Sequence, residues 1–284
     1  MNSRQLKIIA AVTMLIDHLA ARCFYGWGIG AVRIPALDMN VYTLMRVIGR
    51  IAFLIYAFEI SEGVKYTHSL VRYAGRLALL ALLSEIPFDF CLFGLHLLPS
   101  QQASEGFLES IDWRHQNVFF TLLLGMLAAS WMRVEREAID RRVPPDGTRK
   151  SRAVRILLTV GRFAVWAGLM IAFGWLAKDV IHCDYRAGGV ALVAICGLCN
   201  EPWERIVPLP YLRIVRVVLC ALGLWACIRI NDNPFEEYAA IALIFIGLYN
   251  GKKGYSSRRT QMAFYFFYPV HLMGIGLLAA ATGV

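Results

Sequence analysis

The sequence predicts an all-α protein, a polytopic bundle of about nine transmembrane helices (8–10) with a cytoplasmic N-terminus and an external C-terminus. Three observations carry this prediction. Hydrophobic residues make up 58% of the 284 and mean hydropathy is +0.54, above the roughly 45–50% apolar share of ordinary globular chains. Apolar stretches close to the roughly 17–25 residues that a membrane crossing needs recur along the whole length. The basic residues gather in alternate connections between those stretches, as cytoplasmic loops do. The length suits a single membrane domain over 1–284.

In order, the expected crossings are 5–25, 41–62, 74–96, 116–132, 156–177, 187–200, 211–229, 236–250 and 261–282, the sixth and eighth being short. The first, LKIIAAVTMLIDHLAARC, carries Asp17 and His18 near mid-membrane depth. An ionisable pair there costs several kcal/mol and is seldom kept for packing alone. The second, VYTLMRVIGRIAFLIYAF, holds Arg46 and Arg50 four residues apart, hence on one helix face. Glu59 and Glu62 lie toward its cytoplasmic end, near Lys65. The third, LALLALLSEIPFDFCLFG, repeats the four-residue spacing with Glu85 and Asp89. Asn117 opens the fourth, and Asp184 lies in the short loop before the sixth. The last contains FYFFYPVHLMGIG, where Pro269 frees a backbone carbonyl and His271 follows two residues later.

At a rise of ~1.5 Å per residue, Asp17, His18, Arg46, Arg50, Glu85, Asp89, Asn117 and Asp184 fall in one layer of the outer half of the bilayer, with Glu59 and Glu62 apart from it. The bland expectation is an ion-pair ladder in which Arg46 and Arg50 face Glu85 and Asp89. That leaves Asp17 and His18 over. Helical neighbours point about 100° apart, so Asp17 cannot orient the His18 ring and is expected to meet another helix. His18 is then a candidate general base, and His271 a second imidazole lining the same cavity.

With the N-terminus inside, 20 of the 29 basic residues fall in cytoplasmic segments or at the cytoplasmic ends of crossings, against 6 in or next to external segments and 3 deep within crossings (Arg46, Arg50 and Arg162). The loop VEREAIDRRVPPDGTRKSRAVR is the densest of these. It serves as a topology determinant beside anionic lipid, or as a docking surface for a polyanionic cofactor. A net charge of +9 would suggest nucleic acid in a soluble chain; here no nucleic-acid partner is expected. The first apolar run lacks a small-residue cleavage site, so no cleavable signal is expected. Cys196 and Cys199 spell CxxC inside an apolar stretch, where redox chemistry is not expected. Cys91 and Cys183 both lie toward the outer face, where a disulfide is conceivable. No zinc-type Cys/His cluster is spelled out, and no metal is expected.

The blocks LKIIAAVTMLIDHLA, RVIGRIAFLIYAFEISEGVKYT, LALLSEIPFDF, QNVFFTLLLG, DYRAGGV, YNGKKG and FFYPVHL resemble, in order, those of the TraX family. IDH, RxxGRxAF and SEIPFD are its most specific elements. The family's namesake is linked to N-terminal acetylation of pilin. The family is similar, more distantly, to integral-membrane acyltransferases such as bacterial polysaccharide O-acetylases and the lysosomal heparan glucosaminide N-acetyltransferase. The resemblance implies a multi-pass protein of the bacterial inner membrane that takes an acetyl group from acetyl-CoA. It also puts Asp17, His18, Arg46, Arg50, Glu62, Glu85, Asp89, Asn117, Asp184 and His271 on the family's polar positions. The expected catalytic set is His18, Asp17, Glu85, Asp89 and His271. The expected binding set is Arg46, Arg50, Glu62, Asn117 and Asp184.

The function expected is therefore acetyl transfer from cytoplasmic acetyl-CoA to an amine or hydroxyl near the outer half of the membrane. The acceptor would be a pilin-like peptide N-terminus or an envelope glycan. A proton-coupled transporter would use the same kinds of buried residue, although the two halves show no internal repeat. A non-catalytic assembly factor would tolerate neutral isosteres at the polar positions.

Overall fold

The computed structural model describes residues 1–92, 115–143, 148–255 and 257–284. The turn residues 144–147 of the basic loop and the end of the third expected crossing, 93–96, lie outside them. Among the described residues the regular structure is helical, apart from a two-stranded hairpin of β1 (Arg33–Ile34) and β2 (Met39–Asn40). Its helices are α1 (Ser3–Leu19), α2 (Val41–Tyr66), α3 (Leu70–Leu92), α4 (Val118–Arg142), α5 (Arg149–Trp175), α6 (Arg186–Cys196), α7 (Leu212–Asn231), α8 (Ala242–Gly247) and α9 (Arg258–Thr282).

Five helices among the described residues are long and apolar enough to cross a membrane: α2, α4, α5 with its extension to Val180, α7 and α9. The chain is thus a multi-pass helical membrane protein. The other four expected crossings take different forms. The helix α1 has 17 residues and ends in a π-helical turn, Ala20–Phe24. The helix α3 is long enough but carries Arg76, Glu85 and Asp89. After 11 residues α6 passes into a 3-10 turn, Gly197–Asn200. The expected crossing 236–250 is a 3-10 stretch, Pro234–Ile241, followed by only six α-helical residues.

Local chemistry sets the ends. Asn2 caps α1 in a reciprocal box: its side chain accepts from the Gln5 amide at 3.0 Å, and the Gln5 side chain accepts from the Asn2 amide at 2.9 Å. Asn40 accepts from the Thr43 amide at 2.8 Å where α2 begins. Ser257 does the same for α9, accepting from Thr260 at 3.1 Å. Proline interrupts neither α3 at Pro87 nor α9 at Pro269, although each removes one backbone donor.

The chain packs as two compact units, neither of them a continuous stretch. The first comprises Met1–Tyr56, Ala78–Asn117 and Pro234–Val284, and the second Ala57–Leu77 and Val118–Asn233. Both α2 and α3 contribute to each unit. In the second, small residues let α6 press on its neighbours: a Cβ on Gly125 of α4 would lie 2.5 Å from Val193, and one on Gly223 of α7 would lie 2.9 Å from Leu192. The in-span Arg162 is neutralised there, donating to Glu201 at 2.9 Å and to the Met132 carbonyl at 3.1 Å. Arg133 donates to the Val64 and Thr67 carbonyls and so closes the C-terminal end of α2. None of the seven cysteines, Cys91 and Cys183 included, is in a disulfide, and the Cys196 sulfur lies 3.7 Å from that of Cys220.

Candidate active site

The first unit gathers eight of the ten residues singled out from the sequence: Asp17, His18, Arg46, Arg50, Glu85, Asp89, Asn117 and His271. They form three clusters, and α1 carries one member each of the first two.

The first cluster is ionic. Asp17, buried on α1, accepts from Arg46 Nη1 at 2.7 Å and from Arg50 Nη2 at 3.2 and 3.3 Å. Arg50 also donates through Nη1 to Glu236 at 2.6 Å, with the Phe235 ring 5.8 Å from its guanidinium carbon. Two cations and two anions therefore balance in a site where an unpaired charge would be prohibitive. Gly49 makes the approach possible, since a Cβ there would stand 2.1 Å from Asp17 Oδ1. The ladder expected between the arginines and Glu85/Asp89 is corrected here. Asp17 occupies the face that Arg46 and Arg50 share, and the second anion is Glu236, brought in by the 3-10 segment where a regular crossing was expected. Arg46 is the more open of the two arginines, its side chain 25% exposed.

The second cluster is a pair of imidazoles. His18 Nδ1 and His271 Nε2 lie 2.8 Å apart. The ring planes are within 10° and the centroids 5.0 Å apart, so the rings meet edge to edge rather than face to face. His271 Nδ1 lies 2.7 Å from the carbonyl of Phe267, one turn back on α9, and the Phe267 ring stacks on it at 4.7 Å. Tyr268 sets its ring against both imidazoles, at 5.9 and 5.6 Å. His271 is buried; His18 keeps part of its surface exposed. Asp17 and His18 thus face different helices, as their angular separation requires.

The third cluster joins α3 to Asn117, within the first unit. Asn117, fully buried, donates through Nδ2 to Glu85 at 2.5 Å and to the Ala81 carbonyl at 2.8 Å. Its backbone amide also points at Glu85, at 3.4 Å. Asp89 is buried one turn further along α3.

Glu62 and Asp184 belong to the second unit. Glu62 is buried; Asp184 lies in the turn entering α6, where Tyr185 and Arg186 both adopt positive φ. That turn is pinned by Asn231, which donates to the Tyr185 carbonyl and accepts from the Gly188 amide, each at 2.9 Å. Among the described residues, no group of three or more His, Cys, Asp or Glu side chains is arranged to hold a metal ion.

A helical, multi-pass membrane protein with a charge-balanced polar centre and a histidine pair is the class that fold and site define. The chain matches the family described as TraX protein over residues 2–279, and it belongs to that family. It is also similar to the probable fimbrial assembly protein FimC, serogroup H1, of Dichelobacter nodosus, with 24% identity covering 98% of this chain and 94% of that protein. No solved structure matches it.

Proposed function

We propose that this protein is an acyl-CoA-dependent acetyltransferase of the bacterial inner membrane, with acetyl-CoA as donor and His18 as general base. The observation that carries the reading is the separation of roles at α1. Asp17 is held by two arginines, whereas among the described residues His18 is hydrogen-bonded through Nδ1 alone, to another imidazole, and keeps part of its surface open. A histidine held in place but not consumed by an ion pair is what proton abstraction near neutral pH requires.

In the proposed reaction, His18 takes a proton from the acceptor amine or hydroxyl as its lone pair attacks the thioester carbonyl. The C–S bond then breaks, the acetyl group stays on the acceptor, and the CoA thiolate recovers the proton from His18. The developing oxyanion needs a preorganised donor. Arg46 fits best, because among the described residues its hydrogen bond is the single one to Asp17, which leaves Nε and Nη2 to donate. Arg50 and Asn117 are already engaged by carboxylates. The basic cytoplasmic segments would receive the phosphates of the donor.

In this reading the chain spans the membrane about nine times with the N-terminus inside, as the basic residues favour. The acceptor is an exported peptide N-terminus or an envelope glycan. The fimbrial relative supports a pilin-like peptide.

Purified protein titrated with acetyl-CoA provides the first test. Specific binding raises the unfolding free energy by about 2.7 kcal/mol at a hundredfold excess over Kd, and labelled acetate passes from acetyl-CoA to a peptide with a free amino terminus or to an amino sugar. Proton-linked uptake into liposomes, with no stabilisation by acetyl-CoA, would instead identify a transporter.

A further inference from the structure

We infer that His271 is a positioning residue that fixes His18 as the Nδ1–H tautomer, making Nε2 of His18 the atom that takes the proton, and that the two rings share the resulting charge. The inference deepens the acetyltransferase reading and rests on it for the identity of the reaction. Its geometry stands independently.

The tautomer of His18 follows from one line of atoms. A carbonyl oxygen can only accept, so the 2.7 Å contact between Phe267 O and His271 Nδ1 puts a hydrogen on that nitrogen. A neutral imidazole carries one N–H, which leaves His271 Nε2 with its lone pair. The 2.8 Å contact from His271 Nε2 to His18 Nδ1 then requires the hydrogen to sit on His18 Nδ1. By the same count, neutral His18 has its lone pair on Nε2. Reversing the polarity would set the lone pair of His271 Nδ1 against the Phe267 oxygen.

The arrangement gives His18 a neutral orienting group. A carboxylate would fix the same tautomer, but Asp17 is turned away to Arg46 and Arg50. When Nε2 takes a proton from the acceptor, His18 bears hydrogens on both nitrogens. Its Nδ1 proton can then cross the 2.8 Å hydrogen bond to His271 Nε2. His271 becomes the cation, still donating to Phe267, and His18 is left neutral with its hydrogen on Nε2. Return of that proton to His18 Nδ1 restores the doubly protonated ring, which gives up its Nε2 proton to the leaving thiolate. No atom is gained or lost over the cycle.

The direct test uses the full chain in nanodiscs with 15N-labelled histidine, the His18 signals being assigned by their loss in His18→Asn. The neutral form is expected to show a protonated Nδ1 and a bare Nε2, with scalar coupling across the hydrogen bond to His271 Nε2. His271→Gln, whose side-chain oxygen still accepts from Nδ1, is expected to keep that tautomer. His271→Leu is expected to shift it toward Nε2–H and to lower kcat at least tenfold with KM unchanged. A wild-type His18 carrying its hydrogen on Nε2, or a tautomer indifferent to His271→Leu, overturns the inference. The spectrum needs no acetyl transfer, so a failure of the acetyltransferase reading leaves it legible, and a wrong tautomer refutes the relay whatever the activity.

Discussion

Replacing Asp17 with Asn would leave Arg46 and Arg50 sharing a neutral amide in place of the anion now between them. Removing one partner of a buried ionic group costs about 3–5 kcal/mol, so Asp17→Asn is expected to lower the unfolding midpoint strongly in detergent. His18→Ala removes a ring that no ion pair holds, at an only partly buried residue, and is expected to unfold near the wild-type midpoint while losing about 10²–10⁴-fold in transfer rate. Equal effects of the two substitutions on stability would show that the neighbours do not have separate roles. That the two side chains meet different helices was legible in the sequence, because adjacent helical residues cannot share a face. The partner of Asp17 was not. Two arginines and two carboxylates at matching four-residue spacings made Glu85 and Asp89 look like the natural counter-ions, and only the rotation of α1 against α2 decides otherwise. Glu236 gave no such signal: it stands 186 residues from Arg50, behind a proline at the head of an apolar stretch.

Between elements, α1 comes close to α2 at Gly49. Gly49→Ala would press a methyl group to within 2.1 Å of Asp17 Oδ1, in a carboxylate that two guanidinium groups hold in place. Overpacking of this kind costs about 1–3 kcal/mol. The variant is therefore expected to melt earlier and to lose transfer activity, while Gly75→Ala, with nothing within 4 Å, serves as the neutral control on α3. Asn117→Ala removes the amide that bridges Glu85 and the Ala81 carbonyl, with an expected cost of about 1–3 kcal/mol in the same unfolding assay. The long helices α2, α4, α5, α7 and α9 could be read from length and hydropathy alone. The segment 236–250 could not, because an apolar run of that length does not distinguish a helix from a 3-10 turn leading into six helical residues.

For the whole molecule, the lipid bilayer accounts for surfaces that would be untenable in water. Ile156, Leu157, Val160, Ile171 and Trp175 of α5 are all exposed, as a lipid-facing helix requires. Reporter fusions should find the N-terminus and the 133–155 loop on the cytoplasmic side and the C-terminus outside; an external basic loop would refute that orientation. What composition could not reveal is that the chain packs as two units, since that depends on which halves of α2 and α3 each group of helices uses. The central claim is that His18 abstracts the acceptor's proton during acetyl transfer. Its most direct test is single-turnover transfer of labelled acetate from acetyl-CoA to a free-amine peptide by folded wild-type protein and folded His18→Ala. The account predicts transfer by the wild type and a loss of about 10²–10⁴-fold in the variant. Transfer at the same rate in both, or none in either, would contradict it.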